Sequence, residues 1–204
     1  MSIGADVKEV LQEVGTPFTA YHYDGSTVTD EKLDIETYPS HSSEFIRQFF
    51  AYATLFYDTQ VVPGDVLEIT PTSTRYLVTI VLPEFFEGEA VESGLSLLRV
   101  NITGKVQREG ARVRDAQYKL TNTFGDIYSN VPGLLLDDFL RSYTDQEGLF
   151  TTEELRKGVL IQSGYTVLVG DRFWVSDNEY YKIELLQTNR YEGLTVCYLS
   201  EDTR

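Results

Sequence analysis

The sequence predicts a mainly β protein with minor α structure. We expect an N-terminal helix, a small antiparallel β-barrel or sandwich, and a second β unit that repeats a Gly-Asp hairpin of the first. Short alternating apolar and polar runs predict strands, and closely spaced Gly, Pro and Asp residues predict the turns between them. The chain also holds 14 Tyr and 11 Phe, residue types that favour the pleated surface of a sheet. Many short strands of this kind are typical of small barrels and sandwiches.

Two stretches of the chain repeat each other. One opens with Val62-Pro63-Gly64-Asp65 and the other with Leu168-Val169-Gly170-Asp171. Each opening is followed by a Tyr, and a Gly comes twelve residues after that Tyr: Tyr76 and Gly88 in the first stretch, Tyr181 and Gly193 in the second. We interpret each stretch as three antiparallel strands that a Gly-Asp turn leads into.

The two opening turns have a structural explanation. Pro presets φ, Gly tolerates a positive φ, and an Asp side chain in a turn accepts hydrogen bonds from nearby backbone N–H groups. We therefore predict structural roles for Gly64, Asp65, Gly170 and Asp171. Because three strands alone are only marginally stable, each unit must pack against another sheet, a helix or another copy.

The remaining elements follow in order along the chain. Apolar residues at helical spacing predict a helix over 3–14, which Gly15 and Pro17 end. Strands are predicted over 18–23, 33–38 (an edge strand), 44–57, 66–70, 76–82, 95–103, 159–162, 165–168, 172–175, 180–186 and 194–199, with loops over 83–94 and 187–193. The chain thus divides into a helix with a barrel (1–103), an irregular insertion with a helical pattern over 134–143 (104–158), and a C-terminal antiparallel unit (159–204).

Composition argues against several classes of protein. The net charge of −15, from 32 acidic and 17 basic residues, argues against a surface that grips nucleic acid, since phosphate binding needs clustered Lys and Arg. Cys197 is the only cysteine, which excludes an intrachain disulfide and a Cys-based zinc site. No apolar run approaches the roughly 20 residues of a membrane-spanning helix, and the N-terminus lacks a secretory pattern. We expect a soluble protein made in a cytoplasm.

An enzyme is not expected. Only His22 and His41 could act as bases, and neither has a nucleophile motif nearby. The carboxylate pairs Asp137-Asp138 and Glu153-Glu154 could hold a cation, but solvated helix faces are the commoner explanation. The sequence has no phosphate-binding loop and no dinucleotide-binding motif. We therefore predict no catalytic, cofactor-binding or metal-binding residues.

The N-terminal helix and the first repeat together resemble a protein family. The helix ends in Leu-Gln-Glu-Val-Gly-Thr-Pro at 11–17, and the repeat reads Val61-Val62-Pro63-Gly64-Asp65 with Tyr76-Leu77-Val78 after it. This combination is similar to the small neck proteins of tailed bacteriophages, which join head to tail, complete the head as stoppers or complete the tail. The resemblance covers residues 1–103 and, more weakly, 159–204.

The resemblance implies a virion structural protein, made in the host cytoplasm, that forms a sixfold or twelvefold ring beneath the portal. Its partners would be further copies, the portal or adaptor, and tail proteins, with no cofactor and no membrane. Packaged DNA would pass through without specific binding. An acidic lumen would repel phosphate and let the genome slide, an idea that a neutral or basic lumen would rule out.

Two features are candidate surfaces for binding partners. They are the apolar helix positions Val7, Val10 and Val14, and the basic cluster Lys105, Arg108, Arg112 and Arg114. A solvated hairpin tip is the alternative explanation of the basic cluster. The competing functions are a small β-barrel module that binds a peptide or protein ligand, and another structural protein of the tail or baseplate.

Overall fold

The predicted fold class is confirmed. A computed structural model describes residues 3–36, 49–114, 118, 120–137, 157–177 and 179–202. These residues form one N-terminal helix and two six-stranded antiparallel β-barrels. The chain divides into two compact units, Met1–Val100 with Gln162–Gly164 and Thr188–Leu194, and Asn101–Ile161 with Tyr165–Gln187 and Thr195–Arg204.

The helix and strands of the described residues have the following bounds. Helix α1 spans Ile3–Val14, and the strands are β1 Thr16–Tyr21, β2 Thr27–Val28, β3 Lys32–Glu36, β4 Phe50–Phe56, β5 Val66–Ile69, β6 Thr74–Phe86, β7 Glu89–Arg99, β8 Ile102–Glu109, β9 Val113–Arg114, β10 Leu120–Thr121, β11 Phe124–Leu136, β12 Lys157–Gln162, β13 Arg172–Ser176, β14 Glu179–Tyr191 and β15 Leu194–Glu201.

The first barrel closes in the strand order β1-β3-β4-β7-β6-β5, with β5 pairing back to β1. The short β2 pairs with the end of β1. Alternate side chains of β1 face the interior, because successive residues of a strand point to opposite faces. The buried core includes Phe18, Ala20, Leu33, Leu55, Leu67, Val78 and Leu97.

The second barrel repeats this topology. Its strand order is β8-β11-β12-β15-β14-β13, and β13 pairs back to β8. In both barrels the strands therefore lie in the order first, second, third, sixth, fifth, fourth. The buried core of this barrel includes Val106, Val131, Val159, Ile161, Phe173, Ile183 and Cys197. The repeat seen in the sequence is thus the second half of a larger unit whose strand order occurs in both barrels.

The three-stranded interpretation of each repeat is confirmed. Strands β5, β6 and β7 are neighbours in the first barrel, and β13, β14 and β15 are neighbours in the second. The repeated Tyr lies opposite a core residue in each case, with Tyr76 opposite Leu67 and Tyr181 opposite Phe173. Both tyrosines are buried. The equal spacing in the sequence therefore reflects equal positions in two barrels.

The segment expected to be an irregular insertion (104–158) contributes strands instead. Its described residues include most of β8 and all of β11, which are adjacent strands of the second barrel. The pairing of β11 with β8 is interrupted by two register shifts, so β11 lacks the strict alternation that marks a strand in sequence. The helix predicted over 134–143 is wrong for 134–136, which belong to β11. The remainder, from 138, lies outside the described residues.

Other boundaries also differ from the sequence prediction. The loop expected over 83–94 is a hairpin of β6 and β7, and β14 extends through most of the loop expected over 187–193. The strand expected at 33–38 forms as β3, but it lies between β1 and β4 and is not an edge. The strand predicted over 44–57 forms as β4 in its last part, whereas 44–48 lies outside the described residues.

No strand forms over 165–168, although its residues alternate. The N–H of Val167 donates to the carbonyl of Tyr165 at 2.9 Å, and the N–H of Leu168 donates to the Asp171 carboxylate at 2.8 Å. These local hydrogen bonds use backbone donors that a strand would offer to its neighbour. The segment is therefore the approach to the second Gly-Asp turn.

Helix α1 packs on the first barrel through part of its apolar surface. Leu11 is buried, and a Cβ at Gly4 would lie 2.9 Å from the ring of Tyr57. Lys8 forms an ion pair with Asp58 at 2.7 Å between Nζ and Oδ2. The close approach at Gly4 shows why the helix can lie directly against the sheet.

The end of the helix has the expected stop. The N–H of Gly15 donates to the carbonyl of Leu11 at 2.8 Å, and Thr16 begins β1. The last turn of α1 carries no basic residue of its own, and Lys32 supplies one from β3. Its Nζ donates to the carbonyl of Gln12 at 2.6 Å. A cation at this end of a helix satisfies unpaired carbonyls and complements the helix dipole.

Candidate interaction surface

A buried carboxylate holds the Gly-Asp turn of the first barrel. Asp65 is fully buried, and its Oδ2 accepts a hydrogen bond from the N–H of Val62 at 2.8 Å. Its Oδ1 lies 2.8 Å from Nδ1 of His22, just beyond the end of β1. Burial raises the pKa of the Asp65 carboxyl, while the hydrogen bonds from Val62 and His22 oppose that rise.

The second barrel repeats the arrangement with an arginine in place of the histidine. Oδ2 of Asp171 accepts from the N–H of Leu168 at 2.8 Å. The guanidinium of Arg108 donates through Nε to Oδ1 and through Nη2 to Oδ2, both at 2.8 Å. Two parallel hydrogen bonds of this kind fix geometry more strongly than a single contact does.

His22 and Arg108 occupy equivalent positions. Tyr21 pairs with Val66 across β1 and β5, and Gln107 pairs with Arg172 across β8 and β13. Val66 follows Asp65, and its strand partner Tyr21 is followed by His22. In the same way, Arg172 follows Asp171, and its strand partner Gln107 is followed by Arg108. We call each set a turn clamp: His22 with Asp65, and Arg108 with Asp171.

The backbone of the two turns is also the same. The N–H of Gly64 donates to the carbonyl of Val78, and the N–H of Gly170 donates to the carbonyl of Ile183, both at 2.8 Å. The φ angles of the two glycines are 94° and 95°, a region that side-chain-bearing residues rarely adopt. The four turn residues are therefore all engaged in building the barrels.

Cys197 lies in the core of the second barrel. Its side chain is fully buried, and burial raises the pKa of the thiol to about 12, with a smaller contribution from Asp171. A thiol with this pKa stays protonated at neutral pH, and the thiolate is the nucleophilic form. Cys197 therefore acts as a small core residue of the second barrel.

The basic cluster divides into two half-buried members that bind carboxylates of the second barrel and two exposed members. Lys105 pairs with Asp126 at 3.2 Å and lies 4.8 Å from the Trp174 ring centroid, and Arg108 belongs to a turn clamp. By contrast, Arg112 is 65% exposed and its Nε lies 3.9 Å from Glu109, while Arg114 is exposed on β9. Only Arg112 and Arg114 therefore remain candidates for binding a partner.

Helix α1 presents an exposed apolar stripe. Val14 is 74% exposed, Val10 and Ile3 are also exposed, and Val7 is half-buried. Beside the helix lies an open groove of about 360 Å³. It is lined by Ile3, Asp6, Val7, Val10, Leu11, Asp34, Thr54 and Glu92. Of the three helix positions predicted to meet a partner, Val10 and Val14 are thus accessible and Val7 contributes to the groove.

The hairpin of β6 and β7 carries a second exposed apolar surface. Leu82 is exposed, and Phe85 and Phe86 are 66% and 52% exposed although neighbouring strand residues point to opposite faces. Both faces of the hairpin are therefore in solvent here. Its turn at Glu87 and Gly88 has φ angles of 50° and 87°, as a tight two-residue hairpin turn requires. We call residues 82–92 the β6–β7 arm.

Sequence reasoning missed the arm because its charged residues and Pro83 suggest a loop. With both faces exposed, the segment lacks the apolar–polar alternation that marks a half-buried strand. The signal that could have found it is the Glu-Gly pair between two runs of strand-forming residues. That pair recurs at Glu192 and Gly193 between β14 and β15.

The other chemical candidates give no assembled site. His22 belongs to a turn clamp, and His41, Asp138, Glu153 and Glu154 lie outside the described residues. In the described part of the chain, no group of three or more His, Cys, Asp or Glu side chains is placed to hold a metal ion. None of the helical residues described forms a helix long and apolar enough to cross a membrane.

Comparison with known proteins gives no relative. No protein-family model, no curated protein and no solved structure matches this chain. Its surfaces therefore have to be interpreted from their own physical chemistry.

Proposed function

We propose that this chain is a structural protein of the virion neck of a tailed bacteriophage. In this proposal it forms a ring that joins the portal and head to the tail and helps to retain or conduct DNA. The observation that carries the proposal is the exposed apolar surface of the first unit, on helix α1 and on the β6–β7 arm. The resemblance of the helix and first Gly-Asp hairpin to phage neck proteins gives that surface its context.

Exposed apolar surface of this kind favours association. Burying one large apolar side chain stabilises a complex by about 1.5–3 kcal/mol relative to leaving it in water. Phe85 and Phe86 lie side by side at a hairpin end, where the barrel that carries them gives them little cover. Clustered apolar residues on a soluble protein often mark an interaction site. A subunit of a ring meets a neighbour on each side, so two separate surfaces suit such a subunit.

Closed barrels suit a subunit of this kind. Within each closed barrel every strand has a neighbour on both sides, so open-ended strand pairing along the barrel wall is prevented. The turn clamps hold both barrels closed at equivalent points. The barrels would then serve as rigid supports for the exposed segments that make the contacts.

The acidic balance fits a conduit for DNA. With a net charge of −15, the chain offers phosphate a repulsive environment on average. Specific or tight DNA binding needs clusters of basic residues, and two members of the only basic cluster are engaged with Asp126 and Asp171. DNA is therefore expected to pass through the ring without being gripped.

One observation favours the alternative of a peptide-binding module. The groove beside α1 combines an apolar floor of Val7, Val10 and Leu11 with the carboxylates of Asp6 and Asp34. Such a groove could accept an apolar segment with basic residues at its ends. A module of this type would bind its ligand as a monomer, and that property separates the two functions.

Native mass spectrometry and negative-stain imaging of the purified chain test the proposal. We expect closed rings of six or twelve copies with a central opening, in equilibrium with free subunits. Because the contacts are partly apolar, rings should persist when the salt concentration is raised moderately. A chain that stays monomeric at high concentration and binds an apolar, basic peptide would contradict the neck function and support the module.

A further inference from the structure

We propose that the β6–β7 arm of one copy docks on the β9–β10 ribbon of the next copy. This inference rests on the proposed ring and names the contact that would hold its neighbours together. The ribbon consists of strands β9 and β10, which pair Arg114 with Leu120 and Val113 with Thr121, together with Arg112 before β9 and Tyr118 before β10. Neither strand belongs to a barrel.

The β6–β7 arm carries several carboxylates around the exposed apolar side chains at its end. Glu84, Glu87, Glu89 and Glu92 lie between Leu82 and Gly94, and the same stretch holds no Lys or Arg. Glu84 and Glu92 face each other across the hairpin. Burial and the nearby carboxylate of Glu84 raise the pKa of Glu92. The ionised form of Glu92 is therefore disfavoured in the free arm. A basic partner would relieve that repulsion.

The ribbon has the complementary composition. Arg112 and Arg114 are exposed, and they flank Val113, which is 54% exposed. Tyr118 follows at 81% exposure, the largest value among the exposed large apolar and aromatic side chains of the described residues. The ribbon therefore offers Arg114, the Arg112 side chain that also lies 3.9 Å from Glu109, and two apolar groups, against the carboxylates and one exposed phenylalanine on the docked face of the arm.

The charge of each exposed surface indicates which of them the acidic arm can bind. The groove beside α1 is apolar but carries Asp6, Asp34 and Glu92, which would repel a second acidic hairpin. In a chain with 32 acidic and 17 basic residues, two copies also repel each other on average. An exposed pair of Arg residues beside apolar side chains is the feature that can offset this repulsion locally.

The proposed contact joins two different surfaces and is therefore heterologous. Contacts of this type generate a closed ring when the rotation from one copy to the next closes. Phe85 and Phe86 point to opposite faces of the arm, so one of them would form the desolvated centre of the contact, and the Glu–Arg pairs would lie around it. In such interfaces the buried aromatic groups supply most of the affinity, while the charges set partner choice and orientation.

Two sets of charge reversals test this contact. The arm variant carries Glu84→Arg, Glu87→Arg and Glu89→Arg, and the ribbon variant carries Arg112→Glu and Arg114→Glu. Each variant alone should lose the ring, because its arm and ribbon then carry charge of the same sign. Mixed in equal amounts, the two variants should recover rings in which they alternate. Sixfold and twelvefold rings both permit alternation.

The control carries Asp177→Arg, Glu192→Arg and Glu201→Arg, which changes the net charge as much as the arm variant does. All three positions are exposed and lie outside the arm and ribbon. Circular dichroism and thermal unfolding check that each variant is folded, and recovery on mixing shows it independently. Rings in each variant alone, or no recovery from two folded variants, would overturn the arm–ribbon contact and leave the neck function standing. A monomeric unmodified chain would overturn both.

Discussion

Replacing Asp171 by Ala is expected to lower the free energy of unfolding by about 2–3 kcal/mol. The substitution removes the acceptor for the N–H of Leu168 and both carboxylate oxygens that bind the Arg108 guanidinium, which keeps only the Thr166 carbonyl at 3.3 Å. Arg108 is 41% exposed, so water can solvate part of its charge, and most of the loss comes from the turn. Asp65→Ala should cost a similar amount, because Asp65 is fully buried with Val62 and His22 as partners.

Denaturant unfolding and hydrogen exchange measure this effect. Each variant should lose amide protection first around its own turn, near 62–66 for Asp65→Ala and near 168–172 for Asp171→Ala. Asp177→Ala is the matched control, because Asp177 is an exposed carboxylate and should change stability by less than about 0.5 kcal/mol. If either clamp variant were as stable as this control, the clamps would not hold the barrels.

The second large effect concerns an aromatic side chain in the core, which comes from the first strand of one barrel and from the fourth strand of the other. The pairing of β1 with β5 and of β8 with β13 makes Phe18 equivalent to Gly104, and Leu67 equivalent to Phe173. In the first barrel the large ring is on the first strand, and in the second it is on the fourth. A Cβ at Gly104 would lie 2.6 Å from the ring of Phe173, so the two sites fill one space in different ways.

Gly104→Ala should therefore destabilise the second barrel by about 1–3 kcal/mol, since it adds an atom to a filled core. Phe173→Leu copies the first barrel at the fourth strand and removes the ring atoms that the new methyl group would meet, while the Trp174 carbonyl oxygen at 2.8 Å remains. The double variant should be more stable than the sum of the two single changes predicts. We expect a favourable coupling of about 1 kcal/mol or more in a double-mutant cycle.

Gly125→Ala is the control for this cycle, because a Cβ there would contact nothing within 4 Å. It should change stability little, or raise it slightly through the unfolded chain. Strict additivity of Gly104→Ala and Phe173→Leu would show that the two positions do not share one space. The two barrels would then not fill this part of the core in equivalent ways.

Local patterns were enough to predict much of the fold. The paired Gly-Asp turns, the equal Tyr-to-Gly spacing and the helix ended by Gly15 depend on residues close together in sequence, and the structure has all of them. The mainly β class follows from the same patterns. What these patterns could not give is the extent of the duplication, because the first three strands of each barrel share strand order without sharing motifs.

The remaining features depend on contacts across long stretches of chain. Arg108 meets Asp171 across 63 positions, and His22 meets Asp65 across 43, so nothing local marks either clamp. Strand β11 is hard to recognise in the sequence because its two register shifts interrupt the alternation of apolar and polar residues. The β6–β7 arm is hard to recognise because both of its faces are exposed. Of the predicted basic cluster, spacing alone could not separate the members that hold the second barrel from Arg112 and Arg114.

The position of the protein in a virion tests the account most directly. The proposed neck function implies that a phage encodes this chain, and purified particles of such a phage can be labelled with a gold-conjugated antibody against the chain and imaged. We expect label at the junction of head and tail, and protein mass spectrometry of the same particles should find the chain in six or twelve copies per virion. Absence of the chain from intact particles, or label only on the capsid surface or the distal tail, would contradict the neck function.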